Sequence, residues 1–389
     1  MHWREVAVSL PASMKSSRHI VRSLVLLAVS WMASDFPRAL IAATPMPVVE
    51  VDAKTRGFRF AGTNTRFVPW GFNYDRDEQS RLLEDYWHDE WEAVAGDFRE
   101  MRALGANVVR VHLQFARFMR SATEPDERNV RQLARLLALA EETGLYLDLT
   151  GLGCYRKADV PAWYDALDEA GRWQAQAKFW ETIAAACAQS PAVFCYDLMN
   201  EPVVPAGRGT REDWLGPPFG GPDGFCYVQR ISIDQAERGR EEIALKWIET
   251  LTAAIRRHDV KRLVTVGLVD WSLDLPAHLY SGFAPAKVAA PLDFVCVHLY
   301  PRDGKLGEDL ATLAAFAAVK KLVVIEETFP LSSSMENFAK FIDASRKDAA
   351  GWFGFYWGKP LAELDPKTSL HDALMRGWLE FFQSHAPAK

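Results

Sequence analysis

Beyond residue 66 the chain alternates apolar, strand-like runs with stretches of helical periodicity, and it does so around eight strands. The runs fall at 66–73, 107–113, 145–150, 193–202, 263–269, 293–300, 322–327 and 352–357. Between and after them, apolar residues recur at helical spacing over 90–104, 130–140, 171–187, 241–258, 310–319, 335–345 and 370–382. The strand runs are nearly continuous in apolar residues, as strands buried on both faces of a parallel sheet are. Eight such units in 389 residues suit an α/β fold of the (β/α)8 type, the TIM barrel. The rival, a doubly wound open sheet, binds its ligand at a glycine-rich turn, and no such turn follows any of these strands. Ahead of the first run, alternation over 48–51 and 58–60, with a turn at Gly62-Thr63-Asn64, predicts a short N-terminal β-hairpin.

The first 43 residues read as a signal peptide and leader, and 44–389 as one barrel domain. Lys15, Arg18 and Arg22 precede the apolar run 24–29, which gives a positive region followed by a short hydrophobic one. That run is too short to span a bilayer. Ala42 and Ala43, or Ala33, supply small residues for cleavage. The expectation is a secreted or periplasmic protein with no stable membrane insertion after processing. Net charge is −6 without a basic block, which argues against a nucleic-acid partner. Cys195 and Cys296 sit in apolar strands, while Cys154, Cys187 and Cys226 are scattered without metal-ligand spacing. No metal and no cofactor are expected. One disulfide, Cys154 with Cys226, stays open.

In a barrel, polar residues at the carboxyl ends of strands converge on one mouth. Here they are Asn73, Arg110 and His112, Asp148 and Thr150, Asn200 and Glu201, Asp270, His298 and Tyr300, Glu326 and Glu327, and Trp357. The fourth run ends in Asn200-Glu201-Pro202, where Pro202 cannot donate to a ladder and stops the strand. Carboxylates from the fourth and seventh strands would face each other across the mouth. Glycosidic cleavage requires such a pair: one protonates the leaving oxygen, and the other attacks or activates water. Strand alternation sends Glu326 and Glu327 to opposite faces, so one of them points into the mouth. A loop over 203–238, rich in Gly and Pro, carries Trp214, Phe219, Phe225 and Tyr227. Loops of that length are commonly lids or binding surfaces.

Four motifs stand in order on these strands: Leu-Met-Asn200-Glu201-Pro202, His298-Leu-Tyr300, Val-Val-Ile-Glu326-Glu327-Thr-Phe and Phe-Tyr-Trp357-Gly. Together they resemble glycoside hydrolase family 5, the cellulase- and mannanase-like group in the barrel clan of retaining glycosidases. The resemblance runs from about Phe58 to the last helix. It implies that Glu201 is the acid/base and Glu327 the nucleophile. Arg110 would orient the nucleophile, Asn200 would bond the sugar 2-hydroxyl, and Tyr300 would donate to the nucleophile. His298 would support the acid/base or the sugar, and Trp357 would form a stacking floor. Asn73 and His112 complete the expected substrate-binding set. Two departures stand out. Thr150 replaces a customary His, with His112 on the same face as a substitute, and Thr328-Phe329 replaces the usual aromatic-Gly ending. The implied activity is retaining hydrolysis of β-linked polysaccharides or oligosaccharides, as in endoglucanases and mannanases, with a carbohydrate as partner. The alternatives are a non-catalytic carbohydrate-binding barrel, an exo-acting β-glycosidase or transglycosylase on a small glycoside, and a metal-dependent barrel hydrolase. The last would need a His-x-His pair on the first strand, where only Asn73 and Asp75 stand.

Overall fold

A computed structural model describes residues 46–210, 214–218, 224–276 and 278–387. The export segment expected over 1–43 and Phe219 lie outside the described residues. Eight parallel strands, first to eighth, are Trp70–Tyr74, Val108–Gln114, Tyr146–Gly153, Val193–Asn200, Leu263–Gly267, Val295–His298, Val323–Glu327 and Gly351–Phe355. Apart from the fifth and sixth, each ladders with the next, and the eighth returns to the first through Trp352–Trp70 to Phe355–Asn73. The fifth and sixth strands are joined more sparsely. Asp293 N–H donates to Val264 O at 2.9 Å and His298 N–H to Leu268 O at 2.7 Å, with a single bridge between Val269 and His298. The result is a nearly closed TIM barrel.

Seven long helices cover it: Trp91–Ala103, Glu127–Thr143, Glu169–Cys187, Arg240–Arg256, Leu306–Ala317, Met335–Ser345 and Leu370–His385. Two of them start earlier than apolar periodicity alone indicates, because polar caps set their first turns. Asp126 accepts from Asn129 N–H at 3.0 Å and Asp168 from Gly171 N–H at 2.8 Å. Among the described residues, no helix is long and apolar enough to cross a membrane.

Three expectations need correction. Arg66–Phe67 does not open the first barrel strand. It pairs antiparallel with Gly57–Phe60, making a three-stranded sheet with Val49–Asp52 rather than a hairpin. Pro69, with no N–H to donate, separates it from the barrel strand that begins at Trp70. That small sheet closes the amino-terminal end, where Phe58 packs edge-on against Phe194 and Phe294 at 5.3 Å each. Trp357 lies beyond the eighth strand, which ends at Phe355. Cys154 and Cys226 are not bridged: all five cysteines are buried free thiols.

Candidate active site

The mouth departs from simple strand alternation at two bulges, and these build the site. Between the fourth and fifth strands the register runs Thr265 to Asp197, then Gly267 to Asn200, so three residues on one strand span two on the other. Asp197 and Asn200 consequently both reach Arg110. Between the sixth and seventh strands, Val297 faces Ile325 but His298 faces Glu327. The extra residue brings Glu326 and Glu327 to the same guanidinium, where alternation had sent one of them away. Glu201 follows with a left-handed φ of 47°, a conformation uncommon outside glycine and frequent at functional sites. Its N–H is tied to Gly267 O at 3.0 Å.

Arg110 is the hub and is fully buried. Its Nη1 donates to Glu327 Oε1 at 2.6 Å and to Asn73 Oδ1 at 2.9 Å. Its Nη2 donates to Asp197 Oδ2 at 2.8 Å and to Asn200 Oδ1 at 3.0 Å. Burial alone would lower the guanidinium's proton affinity, but Glu326, Asp197 and Glu327 reverse this and hold it well above its ordinary value. Asn73 fixes the wall by donating to Glu326 O and Gly354 O, each at 2.9 Å. Tyr300 donates its O–H to Glu327 Oε2 at 2.6 Å, and burial followed by the Glu327 charge raises that phenol well above its usual range. His298 Nδ1 lies 2.9 Å from Glu201 Oε1. One carboxylate oxygen of Glu201 and one of Glu327 stand within 4.8 Å of each other.

These groups border a cavity of about 240 Å³ lined by Glu201, Glu327, Tyr300, Trp357, Phe355, Phe329, Leu331, Tyr227, Asp75 and Arg76. Trp357 stacks on Phe355 with centroids 5.4 Å apart and planes 16° apart, which gives it a fixed flat face. A hollow of about 570 Å³ elsewhere is larger, but its polar lining is Glu241, Asp274, Lys287 and Lys321, far from the converging carboxylates.

Not every expected residue meets the cavity. Glu201, Glu327, Tyr300 and Trp357 do. Arg110, Asn73 and Asn200 lie just beneath, positioning the others; the Asn200 amide is already engaged by Arg110 and, through Nδ2, by Tyr227 O at 3.2 Å. His112 does not line the cavity: its Nδ1 pairs with Tyr155 O–H at 2.6 Å inside the barrel, and burial with the Arg110 charge keeps its proton affinity well below the usual value. Thr150 donates to Asp197 Oδ2 at 2.8 Å, a duty that needs no imidazole. From the long loop, Tyr227 reaches the cavity, whereas Trp214 packs on Arg172 at 4.0 Å. Asp75 and Arg76 were not singled out as site residues. Their only signal is position, two and three residues past Asn73 at the end of the first strand.

Carboxylates gather closely in two groups among the described residues, Glu201 and Glu327 around His298, and Asp148, Asp197 and Glu326 deeper in. Arg110 already bonds or pairs with Asp197, Glu326 and Glu327, so a protein cation occupies the place between the two groups.

Comparison with known proteins bears on family and fold. A search of curated protein sequences returns no match. Among solved structures, the chain resembles the exo-β-1,4-mannosidase Op5Man5 from Opitutaceae bacterium strain TAV5, with 18% identity and a TM-score of 0.64 over 86% of this chain. The match spans 62% of that longer protein. It also resembles GH5_18 from Streptomyces cattleya in complex with Manβ1-4GlcNAc, at 22% identity and TM-score 0.53 over 74% of this chain and 70% of that one. A third is the β-1,4-mannanase from the sea hare Aplysia kurodai, at 15% identity and TM-score 0.58 over 85% and 96% of the two chains. At such identities these likenesses speak to the fold. Over residues 51–358, however, the sequence matches the family described as Cellulase (glycosyl hydrolase family 5). The chain is therefore a member of glycosyl hydrolase family 5, a β-glycosidase on a TIM barrel.

Proposed function

We propose that this glycosidase works by retention and removes sugars from the ends of short β-linked chains. The observation that supports retention is that one carboxylate oxygen of Glu201 and one of Glu327 lie within 4.8 Å of each other. Double displacement uses carboxyl groups about 5–5.5 Å apart, whereas inversion leaves about 6.5–9.5 Å for a water molecule. In this scheme Glu327, oriented by Arg110 and Tyr300, attacks the anomeric carbon. Glu201 protonates the leaving oxygen and then deprotonates the water that releases the sugar. The two carboxyls must start in different protonation states, so the pH–rate profile is bell-shaped.

End-wise action is supported by the shape of the cavity. Its roughly 240 Å³ falls below the ~300–1,000 Å³ of pockets that bury drug-sized ligands, a space suited to one ring, with a second hollow of about 370 Å³ beyond Arg76 and Trp357. Arg76 closes one side. Its guanidinium lies 5.7 Å from the Phe225 and Tyr227 ring centres, and those two rings stack at 5.5 Å. The loop after the fourth strand is thereby fastened to the loop after the first at one edge of the cavity. Structural neighbours described as a mannosidase and as holding Manβ1-4GlcNAc make β-mannosides the first substrates to try. With reduced mannohexaose, single sugars should be released from the start. Early mixtures of di-, tri- and tetrasaccharides would instead establish the endo-acting, mannanase-like reading.

We also propose that the protein is exported after cleavage near Ala43, on the strength of the charged and apolar order of its first 43 residues. N-terminal sequencing of the protein from its native host should find the 24–29 run removed. Its retention would overturn export by this route.

A further inference from the structure

Several titratable groups below the cavity have no part in the chemistry just described. Asp148 and Glu326 are fully buried, and counted as ionised neither carboxylate has an aligned hydrogen bond; Glu326 has only ion-pair contacts, to His298 and Arg110. Two charged carboxylates cannot sit together in that state at small cost, so one keeps its proton. Burial, then the charges of Glu326 and Asp197, push Asp148 well above the carboxylate range. Glu326 goes the other way: burial opposes its charge, but Arg110, His298 and a hydrogen bond from Asp148 hold it low. Asp148 thus donates an O–H to an ionised Glu326.

Glu326 in turn faces the outer edge of His298. Its Oε2 is 3.4 Å from His298 Nε2 and 3.6 Å from Arg110 Nη2. The opposite edge, Nδ1, is 2.9 Å from Glu201 Oε1 and 3.5 Å from Glu327 Oε2. The fifth strand makes room for this meeting with Gly267. A Cβ there would stand 3.0 Å from both Arg110 Nη2 and His298 Nε2, and 3.1 Å from Glu326 Oε2.

We propose that Glu326 is a positioning residue for the acid/base: backed by Asp148, it anchors the far edge of His298 so that the near edge keeps an N–H directed at Glu201 through both chemical steps. This rests on the glycosidase reading above. In the first step Glu201 gives its proton to the leaving oxygen, and in the second it takes one from water; His298 keeps both ring protons throughout. The cationic ring stabilises the charge Glu201 must carry before it can activate water. Other groups around the ring fit. Arg110 opposes protonation, burial and Arg110 keep His112 neutral, and Asp270 faces the ring from beyond the fifth strand. Burial also opposes the charge, but Glu327, Glu201 and Glu326 outweigh it and raise His298 to about 10.

The test combines Glu326→Gln with Glu326→Asp. In ¹⁵N-histidine NMR, with the His298 signal identified by its loss in His298→Gln, the wild-type ring should stay doubly protonated through neutral pH. Glu326→Gln should bring its titration into the neutral range, and Glu326→Asp should restore part of the shift. On 2,4-dinitrophenyl β-mannoside, whose leaving group needs no proton, Glu326→Gln should lower kcat about tenfold while KM falls with it, leaving kcat/KM within about threefold. An unchanged His298 titration in Glu326→Gln, or equal losses in kcat and kcat/KM, would overturn the proposal. If wild type cleaves neither this substrate nor the β-glucoside, the glycosidase reading fails, and the His298 titration still decides the role of Glu326.

Discussion

Glu327→Ala should lower turnover by on the order of 10⁴–10⁶-fold, as loss of a nucleophile does in other enzymes. The substitution removes the oxygen that Arg110 Nη1 holds at 2.6 Å and the one that Tyr300 holds at 2.6 Å, and it leaves an anion-sized space between them. Azide should enter that space and restore part of the rate on an activated aryl glycoside, with the product now of inverted configuration. Glu326→Ala opens no such space at the cavity wall, because its carboxylate lies beneath, and azide should not rescue it. Rescue of Glu326→Ala but not of Glu327→Ala would exchange the two assignments. Near-normal turnover in Glu327→Ala would remove the double-displacement scheme altogether.

Arg110→Met should be the most destabilising change near the site, by about 3–5 kcal/mol, as expected when a buried ion cluster loses its cation. Three carboxylates, Asp197, Glu326 and Glu327, lie within 3.6 Å of that guanidinium, and the first two are fully buried. Without it Asp197 and Glu326, which Arg110 holds down, would bind protons more tightly in the folded protein than in the unfolded chain. Groups whose folded pKa is raised contribute their stability at low pH and lose it as pH rises through the folded value. The deficit should therefore be largest at neutral pH and shrink as pH falls below the raised range that Asp197 already occupies. Denaturant midpoints for wild type and variant at several pH values would show this. A deficit independent of pH would mean that Arg110 acts through packing alone.

The barrel was readable from the sequence because a parallel sheet covered on both faces needs uninterrupted apolar runs, and Val193–Asn200 or Val323–Glu327 have no other reading of that length. The facing of Glu201 and Glu327 was readable because strand ends are marked by abrupt polarity, as at Asn200-Glu201-Pro202. The register slips were not. A bulge is one extra residue whose position depends on the neighbouring strand, so period-two alternation placed Glu326 and Glu327 on opposite faces although both turn to Arg110. His112 shows a second limit. Its placement on the right face of the right strand was legible, but its partner, Tyr155, comes from past the end of the third strand and was not. Asp75, Arg76 and Tyr227 belong to loops whose path is set by cation–π and stacking contacts between distant segments, and composition does not reveal such contacts.

The sparse join between the fifth and sixth strands gives His298 two duties. Its backbone N–H closes the cylinder onto Leu268, while its ring steadies Glu201. Elsewhere around the wall, fraying of one hydrogen bond leaves neighbours in the ladder to hold the strands in step. Here the fastener is short, and the residue that fastens it also pairs with the Glu201 carboxylate. A transient parting of the staves at this point would carry His298 away from Glu201 while the other seven junctions stayed intact.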